Sequence, residues 1–175
     1  MTLSHFSLPS PTVRTIDDLR AVLCYPSVVH NIALYFMYRD VARNETDRTW
    51  IQSHSVRYDI TVITPANFDS EYVKTKGHYH PEDPTGTGYP ELYEVVEGIA
   101  HFLLQTKTFD DIVIIEAQTG DIIVIPQGYG NVMINPSPDG TLIMEISYLR
   151  HSPVSMHFMT KYTGLPTMNW SLERS

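Results

Sequence analysis

The sequence predicts an all-β domain, an antiparallel sandwich or barrel with one short helix near its N-terminus. From Asn31 onward, β-branched and aromatic runs follow one another at short intervals. Turn residues such as Glu97-Gly98 and Pro138-Asp139-Gly140 separate these runs by hairpin-length connections. Many short strands with regular turn signals are typical of a sandwich or barrel.

A helix is indicated only where Thr15 and Asp18 form a capping pattern, and apolar residues then recur on one helical face until Pro26. The predicted strands are 31–39, 56–64, 71–80, 91–97, 99–106, 112–117, 121–126, 131–135 and 141–149. The Pro- and Gly-rich stretch Pro81–Pro90 is either a functional loop or a mere insertion.

The length of 175 residues fits a single domain, since domains usually have about 100 to 200 residues. We expect one domain over residues 1–175, with an N-terminal extension to about residue 30, a β core over about 31–150 and a closing segment over about 151–175. Disorder and coiled-coil classes are excluded, because 42% of the residues are hydrophobic and 18% are charged.

The formal charge is −8, from 12 basic and 20 acidic residues, and no basic cluster is present. A nucleic-acid partner is therefore not expected. No segment has the leader pattern or the apolar length of a membrane span, so we expect a cytoplasmic protein without a membrane partner. Cys24 is the only cysteine, which excludes an intramolecular disulfide, and it is expected to be a small buried hydrophobe.

The first cluster with chemical meaning is Gly77-His78-Tyr79-His80. Two histidines two residues apart on a strand share one face and can both reach one cation, although this spacing alone is more often surface or packing. Glu91 strengthens the signal, because it opens the next apolar strand and a carboxylate there is costly unless it is paired or ligating. Two imidazoles and one carboxylate form a facial triad for a divalent transition metal.

These residues resemble the first motif of the cupin superfamily, G-x5-H-x-H-x3,4-E-x6-G, with an expanded gap before Glu91. The second motif, G-x5-P-x-G-x2-H-x3-N, is matched by Gly120, Pro126, Gly128 and Asn135. Its histidine, normally the fourth metal ligand, is Asn131 here. The resemblance implies a double-stranded β-helix, the jelly-roll barrel of the cupins, with the short N-terminal helix added.

Two longer strings narrow the resemblance to the archaeal-type, or cupin-type, phosphoglucose isomerases. They are K-T-x-G-H-Y-H-P at 74–81 and P-E-x-Y-E-V-x-E-G at 90–98. The similarity spans about residues 30–150. It implies a homodimer that interconverts glucose 6-phosphate and fructose 6-phosphate, with one divalent metal ion, Fe being favoured and Ni, Mn, Zn or Co possible.

The resemblance also implies roles for individual residues. The metal ligands would be His78, His80, Glu91 and, in the fourth position, Asn131. The catalytic residues would be Glu91 and Tyr93, and the substrate contacts would be Thr61, Thr75, Gly77, Tyr38 and Tyr148. The C-terminal active-site histidine of the family cannot be placed on either His151 or His157.

Aldose-ketose isomerisation needs an electrophile at the carbonyl oxygen and a base at the neighbouring carbon. A metal ion would supply the first and Glu91 the second, through an enediol, with a metal-assisted hydride shift as the alternative. Thr75 and His78 would point to opposite faces of a regular strand, so we predict a bulge near Gly77.

Several alternatives stay open. The chain is either a metal-dependent isomerase, a metal-weak or metal-free cupin that binds sugar or sugar phosphate without catalysis, or a cupin with O2-dependent oxidation chemistry. His101 is expected to be a hydrogen-bonded sheet histidine, with a substitute ligand as the lesser alternative. Lys74 and Lys76 are expected to be solvated edge charges, with phosphate attraction as the lesser alternative.

Overall fold

The computed structural model describes residues 8–24, 26–27, 30–68, 71–80 and 89–149, together with the backbone of 157–158. Strands dominate these ranges, and the prediction of an all-β fold is confirmed. The strands are β1 Thr12–Thr15, β2 Ala33–Tyr38, β3 Val56–Ile63, β4 Asn67–Phe68, β5 Glu71–Lys74, β6 His78–Tyr79, β7 Glu91–Glu97, β8 Ile99–Thr106, β9 Ile112–Gln118, β10 Ile122–Ile125, β11 Tyr129–Asn135, β12 Leu142–Leu149 and β13 His157–Phe158. The helices are α1 Ile16–Leu19, continued by a 3-10 turn over Arg20–Val22, and α2 Glu45–Ser53.

The strands form two antiparallel sheets. The first sheet has the order β1-β2-β3-β12-β7-β10. In the second sheet β9 pairs with β8 and β8 with β11, while the other edge of β11 pairs with β6 and then with β5. Strands β13 and β4 extend this sheet beyond β6 and β5. The predicted metal ligands therefore come from both sheets, with His78 on β6 and Asn131 on β11 in the second sheet and Glu91 on β7 in the first.

The main core lies between the two sheets. Tyr93 and Met144 from the first sheet pack in one cluster with Phe102 and Met133 from the second. The rings of Tyr93 and Phe102 meet edge to face, with their centroids 5.3 Å apart. This packing gives Tyr93 a rigid position beneath the predicted site.

The predicted helix is present but ends early. The amide of Thr15 donates to the Asp18 carboxylate at 2.8 Å, as the capping pattern predicts. Ile16 and Leu19 are fully buried in the main core, while the predicted continuation to Pro26 is only a 3-10 turn. Cys24, expected to be buried, is exposed.

Helix α2 and strand β1 were not predicted from the sequence. Helix α2 contains no buried residue, and Trp50 and Ile51 are its only large apolar residues, which is too few to predict a helix from sequence. Its N-cap signal is the Asn44 side chain, which accepts from the amide of Asp47 at 2.9 Å. Strand β1 pairs with β2, so the expected N-terminal extension contributes a strand to the first sheet. None of the helices in the described part of the chain is long and apolar enough to cross a membrane.

The predicted strand 71–80 is interrupted. Lys74 lies opposite Ile134 and His78 lies opposite Asn131, so the chain advances four residues on one side while β11 advances three. One extra residue on this side is a β-bulge, which confirms the predicted irregularity. Because of the bulge, Thr75 and His78 both line the interior cavity described below.

Gly98 ends β7 with φ +98°, and a Cβ added there would lie 2.8 Å from the carbonyl oxygen of Thr141. We expect Gly98→Ala to lower the free energy of unfolding by about 2 kcal/mol or more, because backbone strain and a backbone clash act together. Chemical denaturation monitored by circular dichroism measures this change.

Gly120 provides the matched control. Its φ is +93°, but an added Cβ would meet no atom within 4 Å. Gly120→Ala should therefore cost only the strain of the left-handed conformation, about 1 kcal/mol. Equal losses in the two variants would contradict the proposed clash at Gly98.

Candidate functional site

A partly open cavity lies between the two sheets. Strands β2, β3, β7, β11 and β12 and the bulged segment contribute to its wall. Six residues singled out by sequence line it, namely Thr61, Thr75, His78, Glu91, Tyr93 and Tyr148. The fold therefore gathers residues that lie as much as 87 positions apart in the chain.

Three of the four predicted ligands, His78, His80 and Glu91, form one cluster, in which the ligating atoms all lie within 4.8 Å of one another. The Nε2 atoms of His78 and His80 are 3.3 Å apart, and His80 Nε2 contacts Glu91 Oε1. His78 comes from β6 and Glu91 from β7, so the cluster joins the two sheets at one end of the cavity.

The protonation states of His78 and Glu91 suit metal binding. Burial lowers the pKa of His78 more strongly than the charge of Glu91 raises it, which keeps the imidazole neutral. Burial would raise the pKa of Glu91, but the hydrogen bonds and charges of its neighbours, His80 first among them, together outweigh burial, and the pKa falls. A neutral imidazole and an ionised carboxylate are the forms that ligate a divalent cation, so the residues fit the implied metal.

Asn131 is fully buried beside the cluster and bonds to Glu91. Its Nδ2 donates to Glu91 Oε2 at 2.7 Å, while its Oδ1 lies 3.4 Å from the Tyr93 hydroxyl. The amide nitrogen must face Glu91, because an amide oxygen would repel the carboxylate. In this structure Asn131 thus orients Glu91, and its role as a metal ligand stays a prediction.

Tyr93 donates its hydroxyl to Glu91 Oε2 at 3.0 Å. Burial and, after it, the negative charge of Glu91 raise the pKa of Tyr93 well above the usual value. The phenol therefore stays protonated at neutral pH. It can donate a hydrogen bond beside the reacting atoms, but it cannot act there as a base.

The two threonines differ in how their hydroxyls are used. The Thr75 hydroxyl accepts from the amide of Met133 at 3.0 Å, a bond that bridges the bulge. The Thr61 hydroxyl makes no hydrogen bond among the described residues, although Thr61 is only 2% exposed and lines the cavity. Gly77 is buried within the bulged segment and does not line the cavity.

The tyrosine assigned to β2 needs a correction. Tyr38 lies on the outer side of β2, where it packs against Val41, Ile60 and Ile143. Tyr35 lines the cavity in its place, and its hydroxyl accepts from the amide of Lys76 at 3.1 Å. An odd spacing of three residues puts the two tyrosines on opposite faces of a strand, which explains the difference.

Tyr148 closes the cavity beside the cluster. Its ring packs edge to face on His80 with centroids 5.4 Å apart, and its hydroxyl donates to Asp59 at 3.2 Å. Burial and the charge of Asp59 raise the pKa of Tyr148, so this phenol is also a donor at neutral pH.

The remaining histidines do not join the cluster within the described residues. His101 lies on β8 with its Nε2 3.6 Å from Glu116 Oε2 on the neighbouring strand, an ion-pair distance longer than the expected hydrogen bond. The backbone of His157 pairs with Tyr79, while His151 and residues 81–88 of the Pro-rich stretch lie outside the described residues.

Three cationic residues on the cavity wall were missed or given another role by sequence. Arg14 and Arg39 had no distinguishing motif, and Lys76 lines the cavity instead of lying at a solvated edge. Lys74, by contrast, pairs with Glu71 at 2.5 Å. Only the alternation of inward and outward side chains along β1 and β2 could have indicated that the two arginines face the cavity, and β1 was not predicted.

A family model described as glucose-6-phosphate isomerase matches residues 13–171, which is most of the chain. The chain belongs to the glucose-6-phosphate isomerase family. The matched region contains both cupin motifs and every residue of the cluster. No curated protein matches the sequence significantly.

Solved structures similar to this family member are cupin-type barrels. They include an oxalate decarboxylase, with TM-score 0.52 and 15% identity over 72% of this chain and 28% of that chain. An oxalate oxidase in complex with glycolate gives TM-score 0.53 and 14% identity over 71% and 55% of the two chains. Peruvianin-I, a cysteine peptidase from Thevetia peruviana latex, gives TM-score 0.51 and 13% identity over 69% and 64%.

The present chain thus spans less than two thirds of the length of each of these proteins. At such identities the likeness shows the fold alone. It confirms the predicted cupin barrel.

Proposed function

We propose that this protein is a metal-dependent aldose-ketose isomerase that interconverts glucose 6-phosphate and fructose 6-phosphate. The observation that carries the proposal is the His78, His80 and Glu91 cluster at the end of a partly open cavity, in a chain of the glucose-6-phosphate isomerase family. A concave site in which a few polar groups converge is where proteins usually bind small ligands.

A divalent ion bound by His78, His80 and Glu91 would polarise the carbonyl oxygen of the open-chain sugar. Mixed imidazole and carboxylate donors accept Fe, Mn, Ni, Zn or Co, and we favour Fe. Manganese is the metal named for the oxalate decarboxylase of Bacillus subtilis, which shares the barrel with TM-score 0.52 and 14% identity.

Glu91 is the group on the cavity wall that can carry the proton between C1 and C2, because it is the one carboxylate among the described lining residues. Its lowered pKa keeps it able to accept a proton at neutral pH. Tyr93 and Asn131 both donate to Oε2 and so fix the carboxylate for this transfer. This route passes through an enediol, and incorporation of solvent deuterium at C2 or C1 would distinguish it from a hydride shift.

The test is an anaerobic isomerase assay on protein purified without chelator, with metal content measured in parallel. We expect turnover that disappears with chelator and returns with Fe²⁺ or Mn²⁺. His78→Ala should abolish both metal retention and turnover. His101→Ala removes a histidine that pairs with Glu116 outside the cluster and is the matched control.

A second candidate is a cupin that binds sugar phosphate without catalysis, which is favoured by Asn131 standing at the position of the fourth metal ligand in the cupin motif. In that case calorimetry would show binding of a sugar phosphate by protein that contains no metal and has no turnover. Consumption of O2 with substrate would instead support oxidation chemistry.

The phosphate contacts can be tested with two isosteric variants. Thr61→Val removes a hydroxyl that has no hydrogen bond among the described residues, so we expect it to weaken sugar-phosphate binding by about 1 to 3 kcal/mol without lowering stability. Thr75→Val should weaken binding and also lower the free energy of unfolding by about 1 to 3 kcal/mol, because the amide of Met133 loses its acceptor.

Calorimetric titration and chemical denaturation measure these two effects. Unchanged affinity in both variants would contradict the phosphate assignment and leave the threonines as structural residues. We further propose that the protein works as a cytoplasmic homodimer, as the family resemblance implies. Light scattering after gel filtration tests the dimer.

A further inference from the structure

A buried carboxylate outside the metal cluster gathers an unusual set of partners. The side chain of Asp59 is fully buried, and it accepts from Arg39 at 2.5 Å and from Arg57 at 2.9 Å. The hydroxyl of Tyr148 and the amide of Asp40 donate to it as well, at 3.2 and 3.0 Å. Two guanidinium groups thus share one carboxylate, which leaves a net positive charge in the wall of the barrel.

Only one of the two guanidinium groups can meet a ligand. Arg39 lines the cavity and Arg57 does not. Besides its bond to Asp59, Arg39 makes one further hydrogen bond among the described residues, from Nη2 to the sulfur of Met37 at 2.9 Å. A thioether is a weak acceptor, so this guanidinium keeps donor capacity for a stronger acceptor in the cavity.

The described side chains that line the cavity include more basic than acidic groups, in a protein of net charge −8. Arg14, Arg39 and Lys76 line the cavity, while Glu91 is the one carboxylate among the described lining residues. Arg14 is paired with Asp18 at 3.6 Å, and Arg39 is paired with Asp59. An oxyanion that can accept several hydrogen bonds, such as a phosphoryl group, satisfies a guanidinium better than a neutral sugar hydroxyl does. Thr61, which lines the same cavity and lies on β3 two residues from Asp59, has a hydroxyl without a partner among the described residues.

We infer that Arg39 binds the phosphoryl group of the sugar phosphate, and that Asp59 is the positioning residue that holds the Arg39 guanidinium toward the cavity. This inference rests on the proposed sugar-phosphate substrate and adds a contact that the sequence motifs do not contain. Asp59 fixes one edge of the guanidinium and leaves its other donors for the anion. The pair therefore makes the cavity selective for phosphorylated over unphosphorylated sugars.

The test compares calorimetric binding of sorbitol 6-phosphate, sorbitol and inorganic phosphate to the full chain. Arg39→Met should weaken binding of sorbitol 6-phosphate by tenfold or more and leave the weak binding of sorbitol unchanged. Arg39→Lys, which keeps the charge and is the second variant should Arg39→Met fail to fold, should lose about threefold to tenfold because the forked donor is lost. Asp59→Asn should raise KM for the phosphorylated substrate more than it lowers kcat.

Arg57→Met is the matched control, because Arg57 also pairs with Asp59 but does not line the cavity. This variant removes one positive charge beside Asp59, as Arg39→Met does. We expect it to lower the melting temperature while affinity for sorbitol 6-phosphate changes less than threefold. Equal loss of affinity in Arg57→Met and Arg39→Met, or wild-type affinity in Arg39→Met and Arg39→Lys, would overturn the inference. If sugar-phosphate binding depends on Arg39 but the protein shows no isomerisation, the proposed reaction is refuted and this inference stands. If Arg39→Met isomerises its substrate with an unchanged KM, this inference is refuted and the proposed reaction stands.

Discussion

Glu91→Gln should lower isomerase turnover by about 100-fold to 10,000-fold, which is the usual contribution of a general base. A glutamine amide neither accepts a proton at neutral pH nor ligates a divalent ion strongly. The structure adds a reason, since Glu91 accepts hydrogen bonds at both oxygens, from His80 on Oε1 and from Tyr93 and Asn131 on Oε2. A glutamine amide has a single accepting oxygen, so it can keep the hydrogen bonds on only one of these two sides.

Metal content measured on the same variant separates the two roles of Glu91. Retained metal with lost turnover would assign Glu91 chiefly as the base, and lost metal would assign it chiefly as a ligand. Glu94→Gln is the control, because Glu94 lies on β7 three residues away and outside the cavity lining. Activity above a tenth of the wild-type value in Glu91→Gln would remove this residue from the mechanism.

The barrel strands were predictable from sequence because each carries its own signal. Strands β7 and β8 have the predicted bounds, since Gly98 marks the turn between two β-branched and aromatic runs. The missed elements lack such a signal. Strand β1 is a four-residue edge strand that is stabilised by pairing with β2, and helix α2 is too exposed to show periodicity.

The metal cluster was predictable because its residues stand in motifs, whereas the charged wall of the cavity was not. His78 and His80 are two residues apart, a spacing that puts both on one face of a strand, and Glu91 opens the next strand of the motif. Arg39 directly follows β2 and Asp59 lies on β3, so the two meet only through the pairing of β2 with β3. The choice between Tyr35 and Tyr38 likewise depended on which face of β2 turned inward, and a motif does not fix that face.

Asn131 is where this chain departs from the cupin pattern, and the structure changes what the departure means. The side chain is fully buried and its amide holds Glu91 at 2.7 Å, so it already supports a ligand without being one. Groups that orient metal ligands typically alter metal affinity by about 10- to 100-fold when they are removed. A three-ligand site supported in this way can hold a catalytic ion, but more weakly than a site with a further imidazole.

We therefore expect Asn131→His to tighten metal binding by about tenfold or more and to preserve isomerase activity, because β11 places this position opposite His78 in the barrel. Asn131→Leu, which has similar size but offers neither a ligand nor a donor to Glu91, should weaken metal binding by about 10- to 100-fold. Competition with a chelator measures both constants, with added Fe²⁺, Mn²⁺, Ni²⁺ and Zn²⁺ in turn. Equal metal affinities in the two variants would show that the position contributes neither a ligand nor support to Glu91, and metal content near zero in all three proteins would favour the sugar-phosphate-binding alternative.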